Sequence, residues 1–550
     1  MGLGEKLRRI FVTLFVLLPA AAIFLAGCAK NSGVNADPPA KPTRTAPAHF
    51  NVLTYHNDNF RTGEDLSETV LTPANVNPSK FGKVAFLEVE GLVDAEPLYV
   101  ADVPIAGARH NVVFVATEHD RVYAFDADTY APLWRVSLLG DGETTSGKRD
   151  CDQINPEIGI TATPVIDLSA GPHGAIHVVA MSRDHKRHYF QRLHALDLAT
   201  GAELPGSPRN IEATFPGHGA GSRNGQVVFD PRQYEDRAAL LLAHGVIYTT
   251  WSSHCDHEPY NGWVIAYDSA TLKPAGVLNL TPNGTDGGIW MTGDGPAEDE
   301  SGNIHLLTGN GTFDPQLDSR QFPASADFGN AFVKISRNGG TLVVADYFTM
   351  HDTVAESGRD EDIGSGGILL LPDVKDDAGR VHHLAIGAGK NQIIYVVDRD
   401  SMGKFDRHDA GIYQKIPGAL GGGVFSKPSY FNGTVYYCAY MNTLKAFPVT
   451  NGKLATTPSS ETAETFAYPG ATPAISANGK SNGIVWAVQN GYSGILRAYD
   501  ATDLSKEIYN SEQSGLRDKF YDNKFITPMV ANGKVFVGTP TGVAVFGLLP

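Results

Sequence analysis

Short apolar runs of roughly four to eight residues follow one another from about residue 50 to the end of the sequence. Turns rich in Gly, Asn, Asp and Pro separate these runs, and almost no stretch has the apolar period of a helix. Runs of this length between turn residues are typical of β-strands joined in antiparallel pairs. The hydrophobic pattern therefore predicts an all-β fold.

Two repeated motifs indicate how the strands are grouped. In the first, a strand ends in an apolar residue followed by Asp. Clear copies are Val122–Asp126, Leu193–Asp197, Val264–Asp268, Ile394–Asp398 and Leu496–Asp500, and degenerate copies are Phe332–Ile335 and Leu444–Phe447. In the second, Pro opens an apolar strand, as at Pro97, Pro164, Pro473 and Pro528. Pro suits the first residue of an innermost strand, where no ladder N–H is required. Such units, roughly 45–70 residues long, predict four-stranded propeller blades.

The same motifs predict the number of blades and the closure of the ring. The Asp-type strands, counted with the final strand Val543–Phe546, give eight units, and a seven-bladed ring is the alternative. The last unit begins near Phe525 and stops after its third strand, while the early strand Val84–Val89 has no other partner. We therefore predict a single β-propeller of four-stranded antiparallel blades over residues 50–550. The N-terminal strand closes it as the outer strand of the last blade.

The N-terminus has the features of an export signal. Basic residues precede an apolar run from Ile10 to Ala26, which is followed by Gly27 and Cys28. The tetrad that ends at Cys28 resembles the bacterial lipobox, whose Cys becomes the lipidated first residue; an ordinary signal peptide is the alternative. Residues 1–28 are thus predicted to be a lipoprotein signal peptide and residues 29–49, rich in Pro, Ala and Thr, a flexible tether. The expected location is the periplasmic face of the outer membrane, with the lipid as the only membrane contact.

Charge and cysteine content narrow the range of functions. The net charge of -16, without a basic stripe, argues against a nucleic-acid partner. An exported compartment permits disulfides, and Cys151 and Cys255, both in polar loops, form a possible pair. No C-x-x-C-H motif is present in the sequence, so no c-type haem is expected on this chain.

The blades resemble the PQQ-repeat propellers of quinoprotein alcohol dehydrogenases, which bind pyrroloquinoline quinone (PQQ). The resemblance extends over nearly all of the chain after residue 50 and includes Gly287-Gly288-Ile289-Trp290 and Thr308-Gly309-Asn310-Gly311. It implies that Trp290 stacks against the quinone ring and that Asn310 coordinates calcium through its amide oxygen. A flat quinone binds well against an aromatic side chain on which it can stack, and Ca²⁺ prefers oxygen ligands. Taken singly, Trp290 also suits a core position and Asn310 a hairpin turn.

Three further segments extend the resemblance. Ala388-Gly389-Lys390-Asn391 matches the segment whose Lys contacts the quinone oxygens, which makes Lys390 and Asn391 cofactor candidates; an exposed turn is the alternative. Arg359–Gly364 falls where the family has its catalytic Asp, which accepts the substrate hydroxyl proton as hydride moves to the quinone. The family's preceding Trp is absent, so Asp362 and Asp360 both stay open, with Asp362 preferred. Counting back from Tyr260 lands near His257-Glu258: Glu258 is the candidate for the calcium-binding Glu after a one-residue shift, and otherwise His257, a poor ligand for Ca²⁺, stands there.

Two functions are therefore weighed. The first is an exported dehydrogenase that oxidises an alcohol or sugar with PQQ and Ca²⁺ and passes electrons to a separate acceptor. The second is a non-catalytic lipoprotein that scaffolds a cell-envelope complex or binds protein or polysaccharide, because propellers with this repeat also occur in assembly proteins. The pocket motifs favour the first function, and the lipid anchor and the incomplete calcium set support the second as the alternative.

Overall fold

The computed structural model describes residues 50–550, apart from residues 292, 293 and 492. The predicted signal peptide, its lipidation site Cys28 and the tether lie outside the described residues. Among the described residues, no helix is both long and apolar enough to span a bilayer. The α-helix Thr353–Gly358 and the 3₁₀ helix Ser511–Arg517 are short, and strands dominate.

The strands form eight antiparallel sheets that follow one another along the described chain as the blades of an eight-bladed β-propeller. From the innermost strand outwards, blade 1 contains Leu98–Ile105, Ala108–Thr117, Arg121–Asp126 and Pro132–Ser137; blade 2 Val165–Asp167, Ala175–Asp184, Tyr189–Asp197 and Arg209–Asn210; blade 3 Leu241–Ala243, Val246–Ser253, Trp263–Asp268 and Pro274–Asn279; and blade 4 Ala297–Glu298, Ile304–Leu307, Phe332–Asn338 and Thr341–Thr349. Blade 5 contains Leu369–Leu370, Leu384–Gly387, Ile394–Asp398 and Gln414–Ile416; blade 6 Ser429–Phe431, Thr434–Cys438, Asn442–Thr450 and Ser460–Phe466; blade 7 Ala474–Asn478, Ser481–Gln489, Ile495–Asp500 and Asp503–Asn510; and blade 8 Met529–Ala531, Lys534–Thr539, Gly542–Leu548 and Phe81–Glu88.

Shorter strands extend some of these sheets or form separate hairpins. They are Glu64–Asp65, Glu143–Thr145, Thr214–Pro216, Gln226–Val228, Tyr234–Glu235, Val374–Lys375, Val381–His382, Lys404–Phe405 and Lys453–Leu454.

The repeated Asp has a local structural role. It ends the third strand of its blade, as predicted, and its carboxylate accepts backbone N–H groups of the following turn. Asp126 Oδ1 accepts from Asp128 and Thr129 at 2.9 and 2.7 Å, and Asp197 Oδ1 accepts from Ala199 and Thr200 at 3.1 Å. Asp is favoured here because its short side chain reproduces the hydrogen bonding of a backbone turn.

The predicted closure of the ring is confirmed. Phe81–Glu88 pairs in antiparallel register with Gly542–Leu548, so the N-terminal strand supplies the outer strand of blade 8. Phe81 packs against Phe546 of this blade and against Trp486 of blade 7. The closing strand is therefore held by hydrogen bonds and by aromatic packing between two blades, which joins the two ends of the propeller.

The segment before this strand connects the blades at the axis. Between Val52 and Glu68 it bonds to the innermost strands of blades 1 to 7 in turn and to the turn after the innermost strand of blade 8. Arg61 is fully buried in it and donates to Leu240 O, Pro296 O, Tyr55 O and Thr54 Oγ1 at 2.7–3.2 Å. This segment therefore connects the innermost strands of the ring to one another.

Candidate functional site

A cleft opens where the loops that precede several innermost strands converge. Its empty volume, including its mouth, is about 480 Å³. Four residues predicted from the sequence line it together, and they come from different parts of the chain: Trp290, Asn310, Asp362 and Lys390. The structure thus brings these four side chains to one place, because the inner ends of the blades of a propeller converge on its central axis.

Trp290 is positioned by a ladder of backbone hydrogen bonds. Gly309 N–H donates to Gly288 O at 2.8 Å, and Met291 N–H donates to Gly364 O at 3.0 Å. A Cβ at Gly309 would lie 2.8 Å from Trp290 Cδ1, and one at Gly288 would lie 3.2 Å from Trp290 Nε1. The glycines of this motif therefore leave room for the indole, which lies in the cleft rather than in a blade core.

Asn310 presents an unpaired acceptor. Its Nδ2 donates to Asp360 Oδ1 at 2.6 Å, whereas its amide oxygen is buried without a hydrogen-bond partner. A buried acceptor of this kind costs free energy unless something satisfies it. The amide oxygen is thus available to a cation or to a donor on a ligand.

Asp362 and Asp360 differ sharply in environment. Both follow the short helix Thr353–Gly358, but Asp362 is 2% exposed and lines the cleft, whereas the Asp360 side chain is 69% exposed. Burial raises the pKa of Asp362, and the positive charge of Lys390 partly offsets that rise. Asp362 therefore has the environment of a proton acceptor, while Asp360 holds the ends of Lys390 and Asn310.

Lys390 joins the two carboxylates. Its ammonium group lies 2.7 Å from Asp362 Oδ1 and also contacts Asp360. Burial acts to lower the pKa of Lys390, but the two carboxylates outweigh it and hold the pKa above its ordinary value. Its neighbour Asn391 points elsewhere: its Nδ2 donates to Glu356 and to the Tyr395 hydroxyl, both at 3.0 Å. Asn391 therefore contacts the short helix that precedes the two Asp residues and does not line the cleft.

The loop with the calcium candidate places a different carboxylate in the cleft. Both Asp256 and Glu258 are exposed, but Asp256 lines the cleft and accepts a hydrogen bond from the Tyr260 hydroxyl at 2.8 Å, whereas Glu258 is not among the lining residues. Cys255 and Asp256 have positive φ angles of 50° and 53°, so the chain turns sharply between them. Spacing in the sequence does not reveal such a turn.

A disulfide fixes this loop to a second one. Cys151 and Cys255 are bonded, with their Cα atoms 5.7 Å apart. Gln153 and Asp256, which lie close to the two cysteines in sequence, both line the cleft. The disulfide therefore fixes one side of the cleft mouth. Cys438 is free and buried in blade 6, as the apolar run around it suggests.

Aromatic residues that the sequence analysis did not single out also line the cleft. They are Phe425, Tyr468 and Phe525, with ring centroids 5.1 Å apart for the first pair and 5.7 Å for the second, in edge-to-face geometry. The Arg237 guanidinium lies 4.9 Å from the Phe525 centroid. The cleft thus combines flat apolar surfaces with a few charged groups, as sites for small ligands generally do.

The donor set fits a flat quinone and a hard cation. The aromatic surfaces suit a planar ring, and Lys390 suits its oxygens. The free amide oxygen of Asn310 and the carboxylates of Asp362 and Asp256 are oxygen donors of the kind that Ca²⁺ prefers. In the part of the chain that the structure describes, no three His, Cys, Asp or Glu side chains are grouped to hold a metal by themselves, so a cation here needs Asn310.

Solved structures with a similar fold are numerous, although neither a protein-family model nor a curated protein matches the sequence. Quinohemoprotein alcohol dehydrogenase from Comamonas testosteroni has a TM-score of 0.59 and 16% identity, over 91% of this chain and 81% of that one. The quinohemoprotein alcohol dehydrogenase ADHIIG of Pseudomonas putida HK5 has a TM-score of 0.55 and 14% identity, over 91% of this chain and 80% of that one. A europium-containing methanol dehydrogenase has a TM-score of 0.54 and 13% identity, over 90% of both chains. The chain therefore has the propeller fold of the quinoprotein dehydrogenases.

Proposed function

We propose that the protein is a quinoprotein dehydrogenase that oxidises an alcohol or a sugar with PQQ and a cation bound in the cleft. The observation that carries this proposal is the convergence of Trp290, Asn310, Asp362 and Lys390 on one cavity. Core and turn positions would not require these four side chains, from blades 4 and 5 and the loops that precede them, to meet. The similar folds of two alcohol dehydrogenases and a methanol dehydrogenase support the reaction class.

In the proposed reaction, the chain binds the substrate and takes its proton. Bound PQQ would supply the two-electron acceptor for the hydride of the substrate C–H bond. Asp362 accepts the hydroxyl proton as the C=O bond forms, and its raised pKa suits that role. Lys390 holds the carboxylate in place and stabilises negative charge that develops on a ligand oxygen. Asn310, with Asp256, would hold the cation.

Electrons leave to a separate acceptor, because the sequence has no c-type haem motif. We further propose that the protein acts outside the inner membrane, attached through a lipid on Cys28. Mass spectrometry of the mature N-terminus tests that location independently of the reaction.

The test of the cofactor is reconstitution. Purified protein is mixed with PQQ and either Ca²⁺ or Eu³⁺, because one structural neighbour contains europium. We expect quinone absorbance to remain after desalting, and to be lost on treatment with a chelator. Trp290→Ala should lower the retained quinone strongly, whereas the matched control Trp134→Ala, in the outer strand of blade 1, should retain as much as the wild type.

Absence of quinone in the wild-type protein with either cation would contradict the proposal. The non-catalytic envelope scaffold would then be the better account of the fold.

A further inference from the structure

A buried carboxylate lies next to the residues of the cleft without lining it. Glu356, on the short helix Thr353–Gly358, is 4% exposed. Its Oε2 accepts a hydrogen bond from Asn330 Nδ2 at 3.2 Å, and its Oε1 accepts one from Asn391 Nδ2 at 3.0 Å. Each carboxylate oxygen of Glu356 therefore pairs with a different asparagine.

Asn330 connects the helix to two segments of the cleft. It is fully buried, and its Oδ1 accepts the N–H of Ile363, the residue directly after Asp362, at 2.9 Å. Its own N–H donates at 2.8 Å to the carbonyl oxygen of Gly309, the residue directly before Asn310. Asn330 thus joins the segment of Asp362 to the segment of Asn310.

Asn391 makes the corresponding connection to Lys390, which precedes it in the sequence. Its Oδ1 accepts the Ile393 N–H at 3.2 Å, so its Nδ2 is the group that faces Glu356. The backbone adds a direct contact, because Lys390 N–H donates to Asp362 O at 2.9 Å. Glu356 therefore lies at the centre of a network that joins the segments around Asp362.

This network requires a carboxylate at position 356. Both asparagines hold their amide oxygen on a backbone N–H, so each presents its Nδ2 donor to Glu356, and neither can reverse its amide without losing that backbone bond. A carboxylate accepts both bonds, whereas the amide of a Gln has only one acceptor and would lose one of them. A buried carboxylate is costly unless it is paired, so a residue that only packed the helix would more simply be apolar.

We propose that Glu356 is a positioning residue, which holds Asp362 and Lys390 in the relative orientation that proton transfer from the substrate requires. This inference rests on the proposed function and adds to it a residue that does not line the cleft. A displacement of about 1 Å in a reacting group can lower a rate about a hundredfold. Hydrogen bonds from Glu356 to both neighbouring segments restrain such a displacement.

The test reverses the direction of one hydrogen bond. Glu356→Gln places an amide donor against an asparagine donor, and Asn330→Asp alone places two carboxylates against each other. The double variant restores the pairing. In it, the new Gln donates to one oxygen of the new Asp, whose other oxygen still accepts the Ile363 N–H, and the Gln oxygen still accepts from Asn391.

Two readouts are taken on the full-length protein. Hydrogen exchange is followed by mass spectrometry in the quinone-free protein, on the peptide that contains Ile363. After reconstitution with PQQ and Ca²⁺, kcat and KM are measured per retained quinone, so that a loss of folded protein does not count. The substrate is the one that the wild type oxidises fastest among ethanol, glycerol and D-glucose. Glu512→Gln, at an exposed position of the 3₁₀ helix, is the control.

We expect Glu356→Gln to speed exchange in the Ile363 peptide about fivefold, the effect of one lost hydrogen bond, and to leave peptides of blade 1 unchanged. The value of kcat should fall at least about tenfold, with KM and quinone retention within about threefold of the wild type. Asn330→Asp should be impaired at least as much. The double variant should return exchange and kcat to within about threefold of the wild type, and Glu512→Gln should change neither.

A wild-type kcat in Glu356→Gln would overturn the proposal, and so would a loss of kcat that the double variant does not restore. Lower quinone retention with an unchanged kcat would also overturn it, because Glu356 would then act on cofactor binding. Each of these results, obtained with a wild type that retains quinone and oxidises a substrate, leaves the dehydrogenase standing. A wild type that does neither removes the dehydrogenase and the positioning role together.

Discussion

The ammonium group of Lys390 lies 2.7 Å from a carboxylate oxygen of Asp362, although the two residues are carried by different loops. The contact is reinforced by the backbone, because Lys390 N–H donates to Asp362 O at 2.9 Å. Asp362 is almost completely buried, so its charge depends on this neighbour. The pair therefore sets the pH range in which Asp362 is a base.

Lys390→Met should move the pH dependence of turnover to higher pH. Burial already raises the pKa of Asp362, and removal of the nearby positive charge raises it further. A base works only when it is deprotonated. In a plot of kcat/KM against pH, the rising limb should therefore move to higher pH by about 1–3 units. Lys534→Met, at an ion pair with Asp128 away from the cleft, is the control. A rising limb at the same pH in Lys390→Met would contradict the assigned pair.

Glu96→Gln should change how stability depends on pH. Glu96 accepts the His56 N–H at 2.8 Å, and burial raises its pKa to about 8. Between about pH 4.5 and 8, Glu96 keeps its proton in the native protein but loses it in the unfolded chain. Its contribution to stability is therefore complete below about pH 4.5 and is lost as pH rises through about 8. Gln mimics the protonated form of Glu96. The free energy of unfolding of the variant should therefore rise relative to that of the wild type by about 1.4 kcal/mol per pH unit across that window.

Chemical denaturation at several pH values measures this difference. The exposed Glu512→Gln on the 3₁₀ helix serves as the control and should give a constant offset from the wild type. A constant offset for Glu96→Gln as well would show that Glu96 is ionised in the native protein.

Loss of the Cys151–Cys255 disulfide should weaken both the fold and the cleft. The bond closes a loop with a sequence separation of 104 residues, and disulfides of this type contribute about 2–4 kcal/mol to the free energy of unfolding. Because Gln153 and Asp256 lie beside the two cysteines, quinone retention should fall as well. Cys151→Ser, Cys255→Ser and the double variant should behave alike, because any of them removes the same bond. Single variants that match the wild type in thermal unfolding and in quinone retention would contradict this role.

The fold was largely predictable because each blade repeats the same local chemistry. Asp at the end of the third strand and Pro before the innermost strand mark turns and strand starts by their own backbone preferences. Closure by the N-terminal strand was predictable because the last unit lacked a fourth strand; the observed strand is Phe81–Glu88, a few residues earlier than Val84–Val89.

The site was predictable where whole segments resemble the family's motifs, and the structure shows why two of those motifs contain glycine. The indole of Trp290 leaves no space for a Cβ at Gly309 and little at Gly288, so glycine at these positions accompanies the Trp290 and Asn310 motifs. Asp256 replaces Glu258 at the cleft because of a sharp turn that residue spacing does not encode. Phe425 and Phe525 were missed, but each lies three residues before the Pro that precedes an innermost strand, and that position repeats along the chain. Which of the repeated positions meet at the axis depends on closure of the whole ring.

The most direct test of the central claim is Asp362→Asn, with two measurements on one sample. Asn keeps the shape of the side chain and removes the base, so we expect wild-type retention of PQQ and a loss of substrate-dependent dye reduction by at least about a hundredfold. Glu361→Gln, one residue away, is the control and should keep both PQQ retention and substrate-dependent dye reduction. Turnover by Asp362→Asn near the wild-type rate would contradict the role of Asp362 and, with it, the active site described for this propeller.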